Sequence, residues 1–298
     1  MNTNVYWNEE YNAPLTDFET FRKSRFIAEG IKRIPKLNGW ATVKDPADVV
    51  GALALARSQI QSNLTPEYYQ AVMTGQPRKL ACSNGFSWDT GVWDCVLNST
   101  AGILCAVNDV GDGGYQQAFS LSSGLHHARP ESGYGFCTVN SLAIGALYAR
   151  QFGNGKVAVL DLDAHCGGGT ARYIKGTSIS QIDLSTQQFD SYVAKEINEN
   201  SWLDFAKYDD YFDKLDEALS RLAHLSPDIV FYNAGVDIYP LLTEKQVYER
   251  EQIVAKHLHD MGCKTVTVMA GGYGAYEHIV PMHISTVMAF SSRTKIVA

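Results

Sequence analysis

The residues with the most chemical capacity stand in a few short segments. Asp161-Leu-Asp-Ala-His165 closes the apolar run Lys156-Val-Ala-Val-Leu-Asp161 and leads into Cys166 and three glycines, Gly167 to Gly169. Asn233-Ala-Gly-Val-Asp237 closes a second run, Asp228-Ile-Val-Phe-Tyr-Asn233, and Ala270-Gly-Gly-Tyr-Gly274 closes a third, Lys264-Thr-Val-Thr-Val-Met269. Gly124-Leu-His-His-Ala128 sets two histidines side by side just before Gly133-Tyr-Gly-Phe-Cys-Thr-Val-Asn140. Singly, each has an ordinary explanation: a strand-end aspartate caps a helix, a histidine pair sits half at the surface, and Gly-Gly-Tyr-Gly makes a tight turn. Jointly they do not, because carboxylates buried on apolar strands cost several kcal/mol unless they are paired or bind a cation.

Alternation along an extended segment puts Asp161, Asp163 and His165 on one face. Asp163, His165 and Asp237 together supply two oxygens and one nitrogen, a set suited to zinc (Zn2+) with one or two open positions, and open coordination points to catalysis. Two carboxylates balance the ion's charge while leaving it able to acidify water and polarise a carbonyl. Cys166 is a rival thiolate ligand. It directly follows His165, so it should point to the opposite side of an extended segment, and it is expected to be a core thiol.

The elements that must position these groups are legible in outline. The three apolar runs lack polar alternation, as parallel strands covered on both faces should. Between them lie helical stretches with start and stop signals. Thr65-Pro66-Glu67 puts an N-cap hydroxyl before a first-turn proline, Thr243 and Gln246 have capping-box spacing ahead of a helix from Val247 to Met261, and Gly262 follows as a stop. Val139 to Phe152 and Tyr211 to Leu222 also carry helical apolar spacing. Strand, helix, strand in that order implies right-handed crossovers and an α/β parallel sheet with helices on both faces, where ligands bind beyond the carboxyl ends of the strands. No repeat or long linker divides the chain, and a single domain over residues 1–298 is expected.

Composition narrows the function. The 298 residues are 45% apolar and 19% charged, with a formal charge of -7. Such a chain can bury enough apolar area to offset its ordering entropy, which argues against disorder. An acidic balance without Lys/Arg clusters argues against nucleic-acid binding and mildly favours cationic partners. The six cysteines include no C-x-x-C pair and are read as reduced thiols of a cytoplasmic protein. The first ten residues have neither the basic nor the apolar region of a secretory signal, and Val49 to Ala56, the longest apolar run, is too short to cross a bilayer.

Gly124-Leu-His-His-Ala-Arg, Gly135-Phe-Cys-Thr-Val-Asn140, Asp161-Leu-Asp-Ala-His165, Asn233-Ala-Gly-Val-Asp237 and Gly271-Gly-Tyr273 occur in the order and approximate spacing of the zinc-dependent histone deacetylase family. The opening Val5-Tyr-Trp-Asn-Glu-Glu-Tyr-Asn-Ala-Pro14 also resembles that family's first strand and loop, so the resemblance covers nearly the whole chain. Its motifs are most similar to the class IV branch and bacterial relatives. The resemblance implies an arginase/deacetylase fold and hydrolysis of an N-acyl-amine, usually acyl-lysine. By position, Asp163, His165 and Asp237 match the zinc ligands and His127 the general base and acid. His126 matches its electrostatic neighbour, and Tyr273 the phenol that holds the oxyanion. Asp161 matches the carboxylate that supports His126 and contributes to a nearby monovalent-cation site, such as one for K+. Phe136 matches one aromatic wall of the acyl-lysine tunnel, and the Gly135 carbonyl lies where the lysine nitrogen passes. Phe189 is a candidate for the second wall.

Two departures stand out. Many family members place Asp or Asn two residues beyond the position of Cys166, where it orients the second histidine; this chain has Gly168. His127 is therefore expected to lack that partner and turnover to be lower, unless a water or another side chain fills the gap. After Asp237, Ile-Tyr-Pro-Leu-Leu replaces the usual glycine- and acid-containing loop, so the rim facing the substrate should differ. Two other readings remain. A non-catalytic acyl-lysine or metabolite binder is motivated by Gly168. A two-manganese ureohydrolase would need further carboxylates near Asp237, where Val236, Ile238 and Tyr239 supply none. Acyl length is not legible, and acyl-lysine peptides, acetylated polyamines and other small N-acyl-amines all suit the same centre.

Overall fold

Eight short strands, all parallel, form one twisted sheet in the computed structural model, which describes residues 3–12, 22–123, 125–153 and 155–292. Gly124, and Ala13 and Pro14 at the end of the opening motif, lie outside the described residues. The strands are β1 (Thr3–Tyr6), β2 (Ala41–Lys44), β3 (Gln117–Ser120), β4 (Val157–Asp161), β5 (Ser180–Ser185), β6 (Trp202–Phe205), β7 (Ile229–Gly235) and β8 (Lys264–Ala270). Their spatial order is β2-β1-β3-β8-β7-β4-β5-β6. The three runs read as strands are β4, β7 and β8, and they lie side by side at the centre.

Period-two alternation explains why these strands look uniformly apolar. In β7, Val230 and Tyr232 enter one hydrophobic cluster, with Leu160, Leu184 and Val254, while Ile229 and Phe231 enter the other, with Val159, Ile144 and Val266. Both faces are roofed by helices, so neither alternate position meets water. The expected arginase/deacetylase type of α/β architecture is what the chain adopts.

Helix ends follow the local chemistry. The Glu244–Asp260 helix starts at a complete capping box, Thr243 with Gln246, and Thr65 caps Pro66–Thr74 by accepting from Tyr68 N. Tyr211–Leu225 runs about one turn past its apolar periodicity; Ser141–Ala149 starts later than its own, where Asn140 accepts from Ala143 N, and ends before Phe152. None of the helices among the described residues is long and apolar enough to cross a membrane.

A chain entering the centre from both directions leaves β3, β8, β7, β4 and β5 adjacent, with their carboxyl ends on one edge. The connections leaving those ends carry His126 and His127, Tyr273, Asp237, Asp163 and His165, and Phe189. The site thus sits where open parallel sheets place their ligands.

Candidate active site

Asp161 ends β4 with no exposed surface. Its Oδ2 lies 2.9 Å from His126 Nδ1, and its Oδ1 accepts from Asn233 Nδ2 at 2.8 Å. Asp163 faces the same imidazole from its other nitrogen, with Oδ1 3.5 Å from His126 Nε2. Burial alone would push His126 down, but Asp161 and Asp163 outweigh it and raise the imidazole to about 10. Its neighbour moves the other way. Burial and the charge on His126 lower His127 below the ordinary imidazole range, and the ring centroids are 4.0 Å apart. One environment thus yields a cationic His126 beside a neutral His127, as acid–base pairs require.

Asp163, His165 and Asp237 converge as their types suggest, with one ligand atom from each lying within 4.8 Å of the others. His165 Nδ1 is 3.1 Å from Asp163 Oδ1 and 3.0 Å from Asp237 Oδ2. Donor atoms sharing a tetrahedral ion at ~2.0–2.2 Å would stand roughly 3.3–3.6 Å apart, so little adjustment is needed. Asp237 Oδ2 is buried and has no hydrogen bond despite that approach, the condition of a lone pair aimed at a cation. These residues fit a metal ion. Among the described residues this is the one group of three metal-ligating side chains so arranged. Val236 and Ile238 are packed in the core, so the loop after β7 adds no carboxylate for a second ion.

Glycines let the loops come this close. A Cβ on Gly235 would stand 2.4 Å from Asp163 Cα, and one on Gly271 2.4 Å from Asp237 Cγ. Cys166 is buried, its thiol 3.4 Å from the Gln187 carbonyl and pushed up to about 12 by burial, which makes it the expected core thiol.

Tyr273 stands at the mouth, 46% exposed, its ring 6.5 Å from His165. Burial of its phenol and the Asp163 and Asp237 charges hold its pKa well above the ordinary value, so it stays a proton donor. Gly135 and Phe136 both have positive φ, 52° and 63°. A Cβ on Gly135 would come 2.7 Å from His127 Cδ2 and 2.9 Å from Phe189 Cε1, so only glycine fits between the imidazole and that ring. Phe136 is 46% exposed and leans on Phe86 at 5.2 Å. Phe189 stacks on Tyr134 at 5.3 Å and lies 5.0 Å from His127, opposite Gly135, which suits it to the second wall.

The expectation that His127 lacks an orienting partner is overturned, in the way the sequence left open. Another side chain fills the gap: Asp190 Oδ2 lies 3.0 Å from His127 Nδ1. Gly168 leaves the room, since a Cβ there would come 2.7 Å from Asp190 Cγ.

Two further residues escaped sequence reasoning. Lys23 is fully buried beneath the site, donating to the Gly271 carbonyl, and burial pushes its ammonium down to about 7 against the pull of Asp237 and Asp163. Arg250, also fully buried, donates to Leu162 O at 3.1 Å and Gly235 O at 2.7 Å while pairing with Glu251 at 2.7 Å. Leu162 opens the loop that carries Asp163, and Gly235 ends β7 two residues before Asp237. Arg250→Met leaves Glu251 buried without its partner and is expected to destabilise the fold by about 3–5 kcal/mol, read from urea unfolding midpoints. A loss below about 1 kcal/mol would show that the ion pair does not brace the loops.

The single eight-stranded parallel sheet and its strand order match the arginase/deacetylase type of α/β fold. A sequence profile described as histone deacetylase domain matches residues 52–287, and the chain belongs to the histone deacetylase family. It is 30% identical over 232 residues to an uncharacterized protein of Picosynechococcus sp., covering 71% of this chain and 72% of that one. It is 25% identical over 217 residues to the acetylpolyamine amidohydrolase of Mycoplana ramosa, covering 66% of this chain and 63% of that one, so it spans less than two thirds of that relative. In three dimensions it resembles the crystal structure of the HDA15 HD domain, with a TM-score of 0.75 and 20% identity over 97% of this chain and 88% of that one. This last likeness bears on the fold alone.

Proposed function

We propose that the protein is a zinc-dependent amidohydrolase that removes an acyl group, acetyl in the simplest case, from the amine of lysine or of a similar small N-acyl-amine. The observation that carries this reading is the open three-ligand cluster of Asp163, His165 and Asp237 beside a histidine kept neutral by its surroundings. A bound zinc ion would supply Lewis acidity, polarising the amide carbonyl and lowering the pKa of a water. Because the Nδ1 of His127 is engaged by Asp190, its Nε2 remains to take a proton from the attacking water and pass it to the departing amine. The Tyr273 phenol donates to the oxygen that becomes negative. Phe136 and Phe189 hold the acyl-bearing chain between them, and Gly135 offers its carbonyl to the substrate nitrogen. The monovalent cation that the family resemblance implies would lie near buried Asp161.

Zinc-loaded protein should hydrolyse an acetyl-lysine peptide or an acetylated polyamine, lose the activity to a chelator and regain it with zinc. Binding of either compound without zinc-dependent turnover would replace this reading with that of a binder. The relative named acetylpolyamine amidohydrolase and the formal charge of -7 favour including the cationic polyamines in that assay.

Metal uptake should also release a proton. Burial opposes charge on His165, yet Asp163 and Asp237 push it up to about 10, so without metal the ring is protonated at neutral pH. A ligand nitrogen must be neutral, and apparent zinc affinity should therefore rise with pH, by roughly tenfold per unit from neutrality towards pH 10. Titration in weakly buffered solution with a pH dye would detect the proton; uptake without acidification would contradict the assignment of His165.

A further inference from the structure

We infer that Asp190 is the positioning residue for His127, so that the carboxylate serving this base stands on the connection after β5, where Gly168 beyond β4 leaves it room. The inference rests on the amidohydrolase reading and specifies what holds its base in place. Asp190 is nearly buried, with a side chain 5% exposed, and each of its oxygens is assigned. Oδ2 faces His127 Nδ1 at 3.0 Å and accepts from Gly169 N at 3.1 Å, while Oδ1 accepts from Arg129 Nη2 at 2.9 Å. A carboxylate can only accept, so His127 Nδ1 must carry the proton, which fixes the tautomer with Nε2 free towards the metal cluster.

The constraint between the two loops is steric. A Cβ on Gly168 would come 2.2 Å from Asp190 O and 2.7 Å from its Cγ, so a side chain at position 168 and the carboxylate of Asp190 cannot share the space. Asp190 also holds a φ of 58°, a left-handed conformation that aspartate tolerates better than most residues but that persists only where the surroundings enforce it. Those surroundings form a closed circuit. Arg129 bonds Asp190 and lies 4.1 Å over the Tyr134 ring, Tyr134 stacks on Phe189, and Phe189 is joined to Asp190 in the chain. One loop therefore carries both a tunnel wall and the group that aims the base. Ordering Phe189 against a substrate would then also fix His127.

Histidine ring NMR on uniformly labelled wild-type protein tests this without turnover. We expect a hydrogen-bonded Nδ1 proton at low field, assigned by its absence in His127→Gln and lost in Asp190→Ala. In zinc-loaded protein, Asp190→Ala should lower kcat by about 100-fold with KM and zinc content little changed, as for the loss of a group that orients a catalytic side chain. Asp190→Asn can keep one acceptor oxygen towards Nδ1 only by turning its amide nitrogen to Arg129, so its kcat should fall between those of wild type and Asp190→Ala. Should Asp190→Ala not fold, the wild-type ring signal and Asp190→Asn still decide. An unaltered ring proton in Asp190→Ala, no such proton in wild type, or kcat within about threefold of wild type would overturn the inference. A wild-type protein that shows the ring proton but no zinc-dependent turnover would instead overturn the functional reading and leave the Asp190 assignment standing.

Discussion

His127→Ala in the zinc-loaded protein is expected to lower kcat by about 10²–10⁴-fold, the range of a positioned general base and acid. Three features combine at this residue. Burial and the neighbouring His126 cation lower its pKa, so it is neutral and able to accept a proton at physiological pH. His126 is raised to about 10, with Asp161 and Asp163 overcoming its burial, so it is unsuited to that task and supplies fixed positive charge instead. Asp190 occupies Nδ1, leaving Nε2 as the exchanging nitrogen. Zinc content should be unchanged, because His127 lies outside the ligand group. Steady-state kinetics paired with metal analysis would check both points, and a loss smaller than about tenfold would remove His127 from the chemistry.

Asp237→Asn should act one step earlier, on metal retention. The amide preserves the shape and can still accept from Ala164 N, which Asp237 Oδ1 does at 3.1 Å, but it removes one of the two negative charges that offset a divalent ion. Zinc affinity should fall by more than the ~100-fold typical of lost outer partners, and turnover should disappear at stoichiometric metal. Stability gives an independent reading. Burial and the Asp163 charge raise the Asp237 carboxyl above its usual range while His165, 3.0 Å away, pulls it back, so the metal-free melting temperatures of the two proteins serve as the baselines. Added zinc should raise the melting temperature of wild type and leave the variant unmoved. Equal zinc-induced shifts in both proteins would exclude Asp237 as a ligand.

What the sequence discloses depends on how local each signal is. The β4, β7 and β8 strands are contiguous apolar runs, and the candidate metal cluster of Asp163, His165 and Asp237 lies just past two of them, so these residues follow from pattern and from one rule about sheet edges. The histidine pair and Tyr273 are adjacent to glycines whose need is visible once the fold closes, as at Gly135 and Gly271. Asp190 has no such signature. It lies 63 residues from His127 in sequence, and only the missing side chain at Gly168 signals that something else must approach. Lys23 is likewise 248 residues from the carbonyl it supports, in a helix whose pattern marks it simply as polar. Arg250 sits in a helix rich in charged residues, and nothing in that spacing separates a solvated arginine from one buried under two ligand loops. Alternation groups Asp161 with Asp163, and both carboxylates face His126, Asp161 Oδ2 at 2.9 Å from its Nδ1 and Asp163 Oδ1 at 3.5 Å from its Nε2.

Anomalous diffraction from crystals of zinc-saturated protein, collected on both sides of the zinc absorption edge, tests the central claim most directly. The expected map has one strong peak per chain among Asp163, His165 and Asp237, about 2.0–2.2 Å from one atom of each, with an open position towards His127 and Tyr273. A featureless map at that position, or a pair of peaks there, would contradict it.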